Sequence, residues 1–132
     1  MSAGDYCIAR IIGRAQGWFS DGWATKTVRF MFPPVRHMNI VIRGTLPPLS
    51  GLIPEQTIRV SIDNYRIATK TIGPGDFTIY VEVPAGFRAK VINLTVEASR
   101  SYIPALHGKW RDWRRLCYML REIVLSDRFD LN

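Results

Sequence analysis

The chain has 132 residues, of which 47% are hydrophobic, 22% charged and 11% aromatic. This composition excludes a disordered or low-complexity protein, and the length predicts a single domain over 1–132 with a core within about 6–125. No apolar run reaches the roughly 18 residues of a membrane span, and the first residues lack the pattern of a signal peptide. We therefore expect a cytoplasmic protein with short, loose termini.

Charge is the second feature of the composition. Eighteen Lys and Arg against eleven Asp and Glu give a formal charge of +7, and fourteen of the eighteen bases are arginines. Arginine makes forked contacts with carboxylate or phosphate groups, which suggests an anionic partner. The alternative is that these arginines solubilise the protein and cover apolar surface with their stems. The tightest cluster is Lys109, Arg111, Arg114 and Arg115, interrupted by Asp112.

The first hundred residues predict strands. Short runs rich in Val, Ile, Thr, Phe and Tyr alternate apolar with polar residues, and Gly, Pro, Asn and Asp separate the runs. The predicted strands are 24–32, 38–43, 57–62, 65–69, 77–83 and 89–98. Asp63-Asn64 supplies the tight turn of a hairpin. No connection is long enough for a crossover helix, so the pattern predicts an all-β fold, an antiparallel two-sheet β-sandwich.

The last quarter of the chain has two interpretations. Apolar residues at helical spacing are Trp113, Leu116, Cys117, Leu120, Ile123 and Val124. The same region fits a strand with a bulge at Arg121-Glu122, whose apolar face is Leu116, Tyr118, Leu120, Ile123 and Leu125. Periodicity alone favours the helix for 115–125.

Two motifs resemble a known family: Gly17-Trp18-Phe19-Ser20-Asp21-Gly22-Trp23-Ala24, and Ser101-Tyr102-Ile103-Pro104-Ala105-Leu106-His107-Gly108 leading into Asp112-Trp113-Arg114-Arg115-Leu116. Together they resemble the β-sandwich accessory modules found beside bacterial glycosyltransferases that build surface polysaccharides. The resemblance covers about 6–125 and implies a jelly-roll, galactose-binding-like sandwich in which 115–125 is a strand. This chain carries no glycosyltransferase region, so a role in sugar transfer would need a separate partner or a larger parent polypeptide.

Sugar sites combine flat aromatic faces with forked polar groups, and both occur near these motifs. We expect Trp18 and Trp110 to be exposed platforms, and Trp23 and Trp113 to close the ends of the core. Their neighbours in the motifs complete the candidate ligand-binding set: Tyr102, His107, Asp112 and Arg114.

The polar candidates also have structural interpretations. On an extended segment Asp112 and Arg114 point the same way, and mutual pairing is the interpretation we favour over a grip on ligand hydroxyls. A histidine beside Gly108 is more often a turn residue than a ligand contact. Asp21, between Ser20 and Gly22, fits an Asx turn.

Catalysis has little support in the sequence. No nucleophile elbow, zinc-binding helix or phosphate loop is present, and Cys7 and Cys117 lack metal-ligand spacing. A glycosidase would require folding to bring together carboxylates such as Asp21, Asp76 and Asp112. We therefore predict a non-enzymatic protein with no cofactor and no metal, although an oxygen-only calcium site would leave almost no trace in a sequence.

Three functions follow from these observations. The first is a carbohydrate-binding or glycosyltransferase-accessory module that recognises a glycan or positions a partner enzyme. The second is a basic module for nucleic acid or another polyanion, with the 109–115 cluster and stacking from its tryptophans. The third is a structural domain that docks another protein.

Overall fold

The computed structural model describes residues 7–11, 16–19, 21–32, 38–48, 52–83, 92–108 and 111–126, and nine antiparallel strands contain about two thirds of these residues. The strands are β1 (Cys7–Ile11), β2 (Gln16–Trp18), β3 (Trp23–Phe32), β4 (Met38–Leu46), β5 (Gln56–Ile62), β6 (Tyr65–Ile72), β7 (Gly75–Val83), β8 (Ile92–Ala98) and β9 (Tyr118–Ser126). A 3-10 helix, Pro104–His107, lies between β8 and β9. The predicted all-β fold is confirmed. Within the described ranges no helix is long and apolar enough to span a membrane.

The strands form the two layers of a sandwich. One layer has the order β6-β5-β8-β3, with β2 on the far side of β3, and the other has the order β7-β4-β9-β1. Strand β3 joins the layers, because its first residues Trp23 and Ala24 pair with β9 and its later residues pair with β8. On the opposite side Lys70 of β6 donates from Nζ to the Thr78 carbonyl oxygen of β7 at 3.0 Å. The sandwich is therefore closed or nearly closed along both sides.

Strand β5 buries the face that its alternation of apolar and polar residues predicts. In β5 the side chains of Ile58, Val60 and Ile62 are fully buried, whereas Arg59 between them is exposed. The apolar faces of both layers form one hydrophobic cluster. Full burial of each such side chain contributes about 1.5–3 kcal/mol, so the alternation of the strands specifies which faces meet.

The predicted hairpin is confirmed at Asp63-Asn64, which joins β5 to β6. Both residues have positive φ, 50° and 72°. This is the conformation of a type I′ turn, whose twist matches that of the flanking strands. The sequence pattern missed β1 and β2, which are short and lack a clear alternation.

Residues 118–126 form β9, so the strand implied by the family resemblance is confirmed and the helix favoured by periodicity is wrong. Gly44 of β4 pairs with Leu120, whereas Arg43 pairs with Glu122, which leaves Arg121 as the extra residue of a bulge. Because of this bulge, the apolar residues of β9 do not all fall at every second position, and their spacing resembles that of a helix. Gly44 permits this close approach, because a Cβ there would collide with the carbonyl oxygen of Met119.

Candidate functional site

Two loops meet at one end of the sandwich, and the first is the turn between β2 and β3. The amide of Gly22 donates to the Phe19 carbonyl oxygen at 3.0 Å, and Gly22 has a φ of 99°. The Asp21 carboxylate accepts from the backbone N–H of Trp23 at 3.3 Å. Asp21 therefore caps this turn as the sequence predicts, with its other oxygen directed to a different partner.

The second loop is the long connection between β8 and β9. It is closed at its base by an isolated bridge in which Tyr102 and Leu116 exchange backbone hydrogen bonds of 2.8 and 2.9 Å. Inside the loop, the Ala105 amide donates to the Asp112 carbonyl oxygen at 2.7 Å. The 3-10 helix ends at Gly108, whose φ of 100° returns its N–H to the Pro104 carbonyl oxygen. Backbone hydrogen bonds thus hold the described part of this loop in one conformation.

Arg114 links the two loops through paired carboxylates. Its Nε and Nη2 donate to the two oxygens of Asp112 at 2.9 and 2.8 Å, and Nη2 also donates to Asp21 Oδ2 at 2.9 Å. The guanidinium lies over the Phe19 ring, 4.6 Å from its centroid. The hydrogen bonds that Arg114 donates to Asp112 and then to Asp21 raise the pKa of Arg114, and the hydrogen bond from Arg114 lowers the pKa of Asp21. Asp112 and Arg114 therefore pair with each other, the interpretation that the sequence favoured.

Exposure alternates along the segment that carries this pair. Asp112 and Arg114 are partly buried and Leu116 is buried, whereas Arg111, Trp113 and Arg115 are exposed. The side chain of Trp113 is 66% exposed. The prediction that Trp113 closes the end of the core is therefore wrong. The inward face of the segment connects the two loops, and its outward face presents an indole between two arginines.

Trp18, in contrast to Trp113, is buried. It is 5% exposed, belongs to the hydrophobic core and donates from Nε1 to the Leu120 carbonyl oxygen at 3.1 Å. The prediction that Trp18 is an exposed binding platform is wrong, because the pairing of β2 with β3 turns its side chain inward. The other predicted platform, Trp110, lies outside the described residues, as does Lys109.

The remaining aromatic candidates form a row beside the second loop. The rings of Trp23 and Tyr102 meet edge to face with centroids 5.8 Å apart, and His107 lies 6.4 Å beyond Tyr102. Trp23 and Tyr102 are partly buried, and His107 is exposed at the end of the 3-10 helix. Desolvation, followed by the charge of Asp112, raises the pKa of the Tyr102 hydroxyl. The structure thus brings Tyr102, His107, Asp112 and Arg114 to one end of the sandwich.

Each of the three carboxylates that the sequence offered for a glycosidase, Asp21, Asp76 and Asp112, is paired with an arginine. Asp76 lies apart from the other two and binds Thr45 and Arg121 at 2.6 and 2.8 Å. Asp21 and Asp112 share Arg114, and the pKa of Asp21 is lowered rather than raised as a general acid requires. Among the described residues no group of three or more His, Cys, Asp or Glu could hold a metal ion. The thiol of Cys117 is buried, which raises its pKa to about 12 and makes it a poor nucleophile.

Arg111, Trp113 and Arg115 belong to the 109–115 cluster of the polyanion interpretation, but they were not among the residues predicted to bind a sugar. The alternation of inward and outward positions along 111–116 indicates that these three residues share one face. Once Leu116 faces the core, the residues two and four before it share its side and the odd positions face solvent. The helical interpretation of 115–125 obscured this alternation.

No family model matches this chain, and no curated protein matches its sequence. Its fold is similar to solved structures at 11–12% sequence identity. A family 35 carbohydrate binding module from an environmental isolate has a TM-score of 0.50 and 12% identity, with 91% of this chain and 85% of that chain covered. A family GH115 4-O-methyl-alpha-glucuronidase, BtGH115A, with specificity for decorated arabinogalactans, has a TM-score of 0.54 and 11% identity. Latent PorU from Porphyromonas gingivalis has a TM-score of 0.54 and 12% identity.

The shares covered differ between these structures. The chain matches BtGH115A over 93% of its own length and PorU over 92%, but spans only 18% and 11% of those two proteins. At such identities the similarity is one of fold. The chain therefore has the jelly-roll-like sandwich that the family resemblance implied.

Proposed function

We propose that this protein is a non-catalytic carbohydrate-binding module that contacts a glycan with the exposed face of 111–115. The observation that carries the proposal is the 66% exposure of Trp113 on a loop whose other face is held by the Asp112–Arg114–Asp21 contacts. Similarity of fold to a carbohydrate binding module supports it. Residues 111–115 lie shortly before β9, so β9 and the core hold the site in place.

The chemistry of this face suits a pyranose ring. An indole presents a flat apolar surface to the C–H side of the sugar, and stacking requires no rearrangement where the indole is already exposed. Arg115 stands two residues away on the same face, where its guanidinium N–H groups reach ring hydroxyls. Asp112 and Arg114 act as positioning residues, since their polar atoms are largely used by each other and by Asp21.

The second candidate is a polyanion-binding module. The specific observation in its favour is that the exposed indole lies between two arginines, Arg111 and Arg115, in a chain with a formal charge of +7. Stacking of a base on Trp113 and phosphate contacts from the arginines would use the same face. Affinity for a polyanion falls steeply with ionic strength, whereas affinity for a neutral sugar does not.

Titration calorimetry against glycans selected on an array tests the proposal. We expect Trp113→Ala to abolish measurable binding and Tyr80→Ala, which removes an exposed aromatic from the β7 surface, to leave it unchanged. Repeating the titration at about 50 and 500 mM salt separates the candidates. Equal glycan affinity in the parent and Trp113→Ala would contradict the proposal, and oligonucleotide binding that disappears at high salt would favour the second candidate.

The role beside a glycosyltransferase is a finer proposal that rests on the family resemblance. In this role the module would position a separate catalytic partner on a growing polysaccharide. Co-purification with a glycosyltransferase encoded nearby, retained by Trp113→Ala and lost on disruption of a different surface, would support positioning of the enzyme as a function distinct from glycan contact.

A further inference from the structure

A groove on the outer surface of the first layer is separate from the end loops. Its volume is about 420 Å³, within the range of small-ligand sites. Eight polar residues line it: Arg29, Ser61, Asp63, Asn64, Arg66, Asn93, Thr95 and Glu97. None of them is aromatic, so this groove lacks the stacking surface that Trp113 provides at the end of the sandwich.

The register of four strands places two arginines at the ends of one row. Arg29 of β3 pairs with Thr95 of β8, Thr95 pairs with Ser61 of β5, and Ser61 pairs with Arg66 of β6. At about 4.8 Å between strands the Cα atoms of the two arginines lie about 14 Å apart, with two hydroxyl side chains between them. This row is long enough to contact more than one residue of an oligosaccharide.

The charges of the row are available to a ligand. Arg29 and Arg66 are exposed, and neither side chain forms a hydrogen bond or ion pair with another residue in the part of the chain that the structure describes. The two carboxylates of the groove lie outside the row. Asp63 Oδ1 accepts from the backbone N–H of Asn93 at 2.9 Å, and Glu97 stands opposite Arg59 in the neighbouring row.

We infer that this groove binds an acidic oligosaccharide, with carboxylate or sulfate groups held by Arg29 and Arg66 and ring hydroxyls held by the residues between and beside them. Forked guanidinium contacts suit carboxylate and sulfate oxygens. Asp63 and Glu97, which would repel acidic groups placed beside them, would accept hydrogen bonds from sugar hydroxyls. The mixed lining therefore selects a ligand that has both acidic groups and hydroxyls. This site is independent of the one proposed at Trp113.

Calorimetric titration of the full chain tests the inference with four probes: oligogalacturonate, a chondroitin sulfate oligosaccharide, a neutral galacto-oligosaccharide and inorganic sulfate. Arg29→Gln and Arg66→Gln each remove one charge of the row. Arg59→Gln is the matched control, because Arg59 is an exposed arginine of the same layer that does not line the groove. Trp113→Ala reports on the end loops. Circular dichroism and the thermal midpoint of each variant verify that the fold is retained.

We expect at least one of the two acidic oligosaccharides to bind. Binding of oligogalacturonate shows that carboxylate is sufficient, whereas binding of chondroitin sulfate alone, which carries both groups, indicates that sulfate is required. The affinity of the bound oligosaccharide should fall about tenfold in each of Arg29→Gln and Arg66→Gln, and remain within twofold in Arg59→Gln and Trp113→Ala. Absence of binding by both acidic oligosaccharides would overturn the inference, as would equal loss in Arg59→Gln or equal affinity for inorganic sulfate. Loss in Trp113→Ala alone would overturn it while supporting the end-loop site.

Discussion

The side chain of Gln56 and the backbone of Arg100 form a reciprocal pair of hydrogen bonds. Gln56 Nε2 donates to the Arg100 carbonyl oxygen at 2.8 Å, and Gln56 Oε1 accepts from the Arg100 amide at 2.8 Å. Nε2 also donates to the Cys117 carbonyl oxygen at 3.1 Å, and Oε1 also accepts from Ser99 Oγ at 3.1 Å. Gln56 is fully buried, so this one carboxamide connects β5 to both ends of the 99–117 connection.

Gln56→Leu should destabilise the protein by about 3 kcal/mol, because it leaves a buried carbonyl oxygen at Cys117 and partly buried backbone groups at Arg100 without partners. Urea denaturation followed by tryptophan fluorescence measures the change. Thr71→Val is the control, since it removes an exposed hydroxyl bonded to Thr57 and should cost less than about 0.5 kcal/mol. A loss below about 1 kcal/mol for Gln56→Leu would show that the loop does not depend on this side chain.

In contrast to the carboxamide of Gln56, the buried hydroxyl of Tyr118 has no hydrogen-bond partner among the described residues. Its burial raises the pKa of the phenol, and its ring meets Phe77 edge to face with centroids 5.8 Å apart. Tyr118→Phe keeps the ring and removes the unsatisfied oxygen, so we expect the free energy of unfolding to stay the same or rise by about 1 kcal/mol.

Tyr118→Leu is the matched comparison for this prediction. It removes the aromatic contact and leaves a cavity, and should lower the free energy of unfolding by about 2 kcal/mol. The two variants are compared by the same urea titration. If Tyr118→Phe lost as much stability as Tyr118→Leu, the hydroxyl would have a stabilising partner after all.

The fold was predictable where local pattern decides it. The alternation in β5 predicts its buried face, and Asp63-Asn64 predicts its turn, because both depend on residues adjacent in the chain. The shared direction of Asp112 and Arg114 follows in the same way from their spacing. The second carboxylate partner of Arg114, Asp21, is 93 residues away in the sequence and could not be assigned without the structure.

The errors concern contacts that depend on distant register. Trp18 is buried because β2 pairs with β3 and because its Nε1 bonds to Leu120, 102 residues away. Nothing in its neighbouring glycine and polar residues indicates that pairing. Gln56 was missed for the same reason, since its partners lie 43 to 61 residues farther along the chain. The outward direction of Trp113 follows from the burial of Leu116, which is fixed by its bridge to Tyr102.

Trp18 is buried and Trp113 is exposed, the reverse of what the sequence predicts. This difference leads to a prediction about stability. Trp18→Ala removes a large core side chain and its buried hydrogen bond, and should lower the free energy of unfolding by about 4 kcal/mol. Trp113→Ala removes a side chain that is 66% exposed and should change stability by no more than about 0.5 kcal/mol. Thermal and urea unfolding of both variants test this. Equal destabilisation by the two substitutions would contradict the burial that the structure assigns to them.

The Asp21–Arg114 contact makes a prediction about pH. The hydrogen bond from Arg114 lowers the pKa of Asp21 below its usual value of 3.8 in the folded protein. The contribution of this contact to stability is therefore fully present above pH 3.8 and is lost as the pH falls through the lower folded-state pKa. Because the Asp21 side chain is 49% exposed, solvent screening keeps that contribution small.

Carbon-13 NMR titration of the Asp21 carboxyl measures the shift directly. We expect a midpoint below 3.8 in the parent and a return toward 3.8 in Arg114→Gln, which removes the positive charge. Asp76 is the internal control, because Thr45 and Arg121, and not Arg114, lower its pKa. Its midpoint should be the same in both proteins. An Asp21 midpoint that does not move in Arg114→Gln would show that the guanidinium does not hold the two loops together in solution.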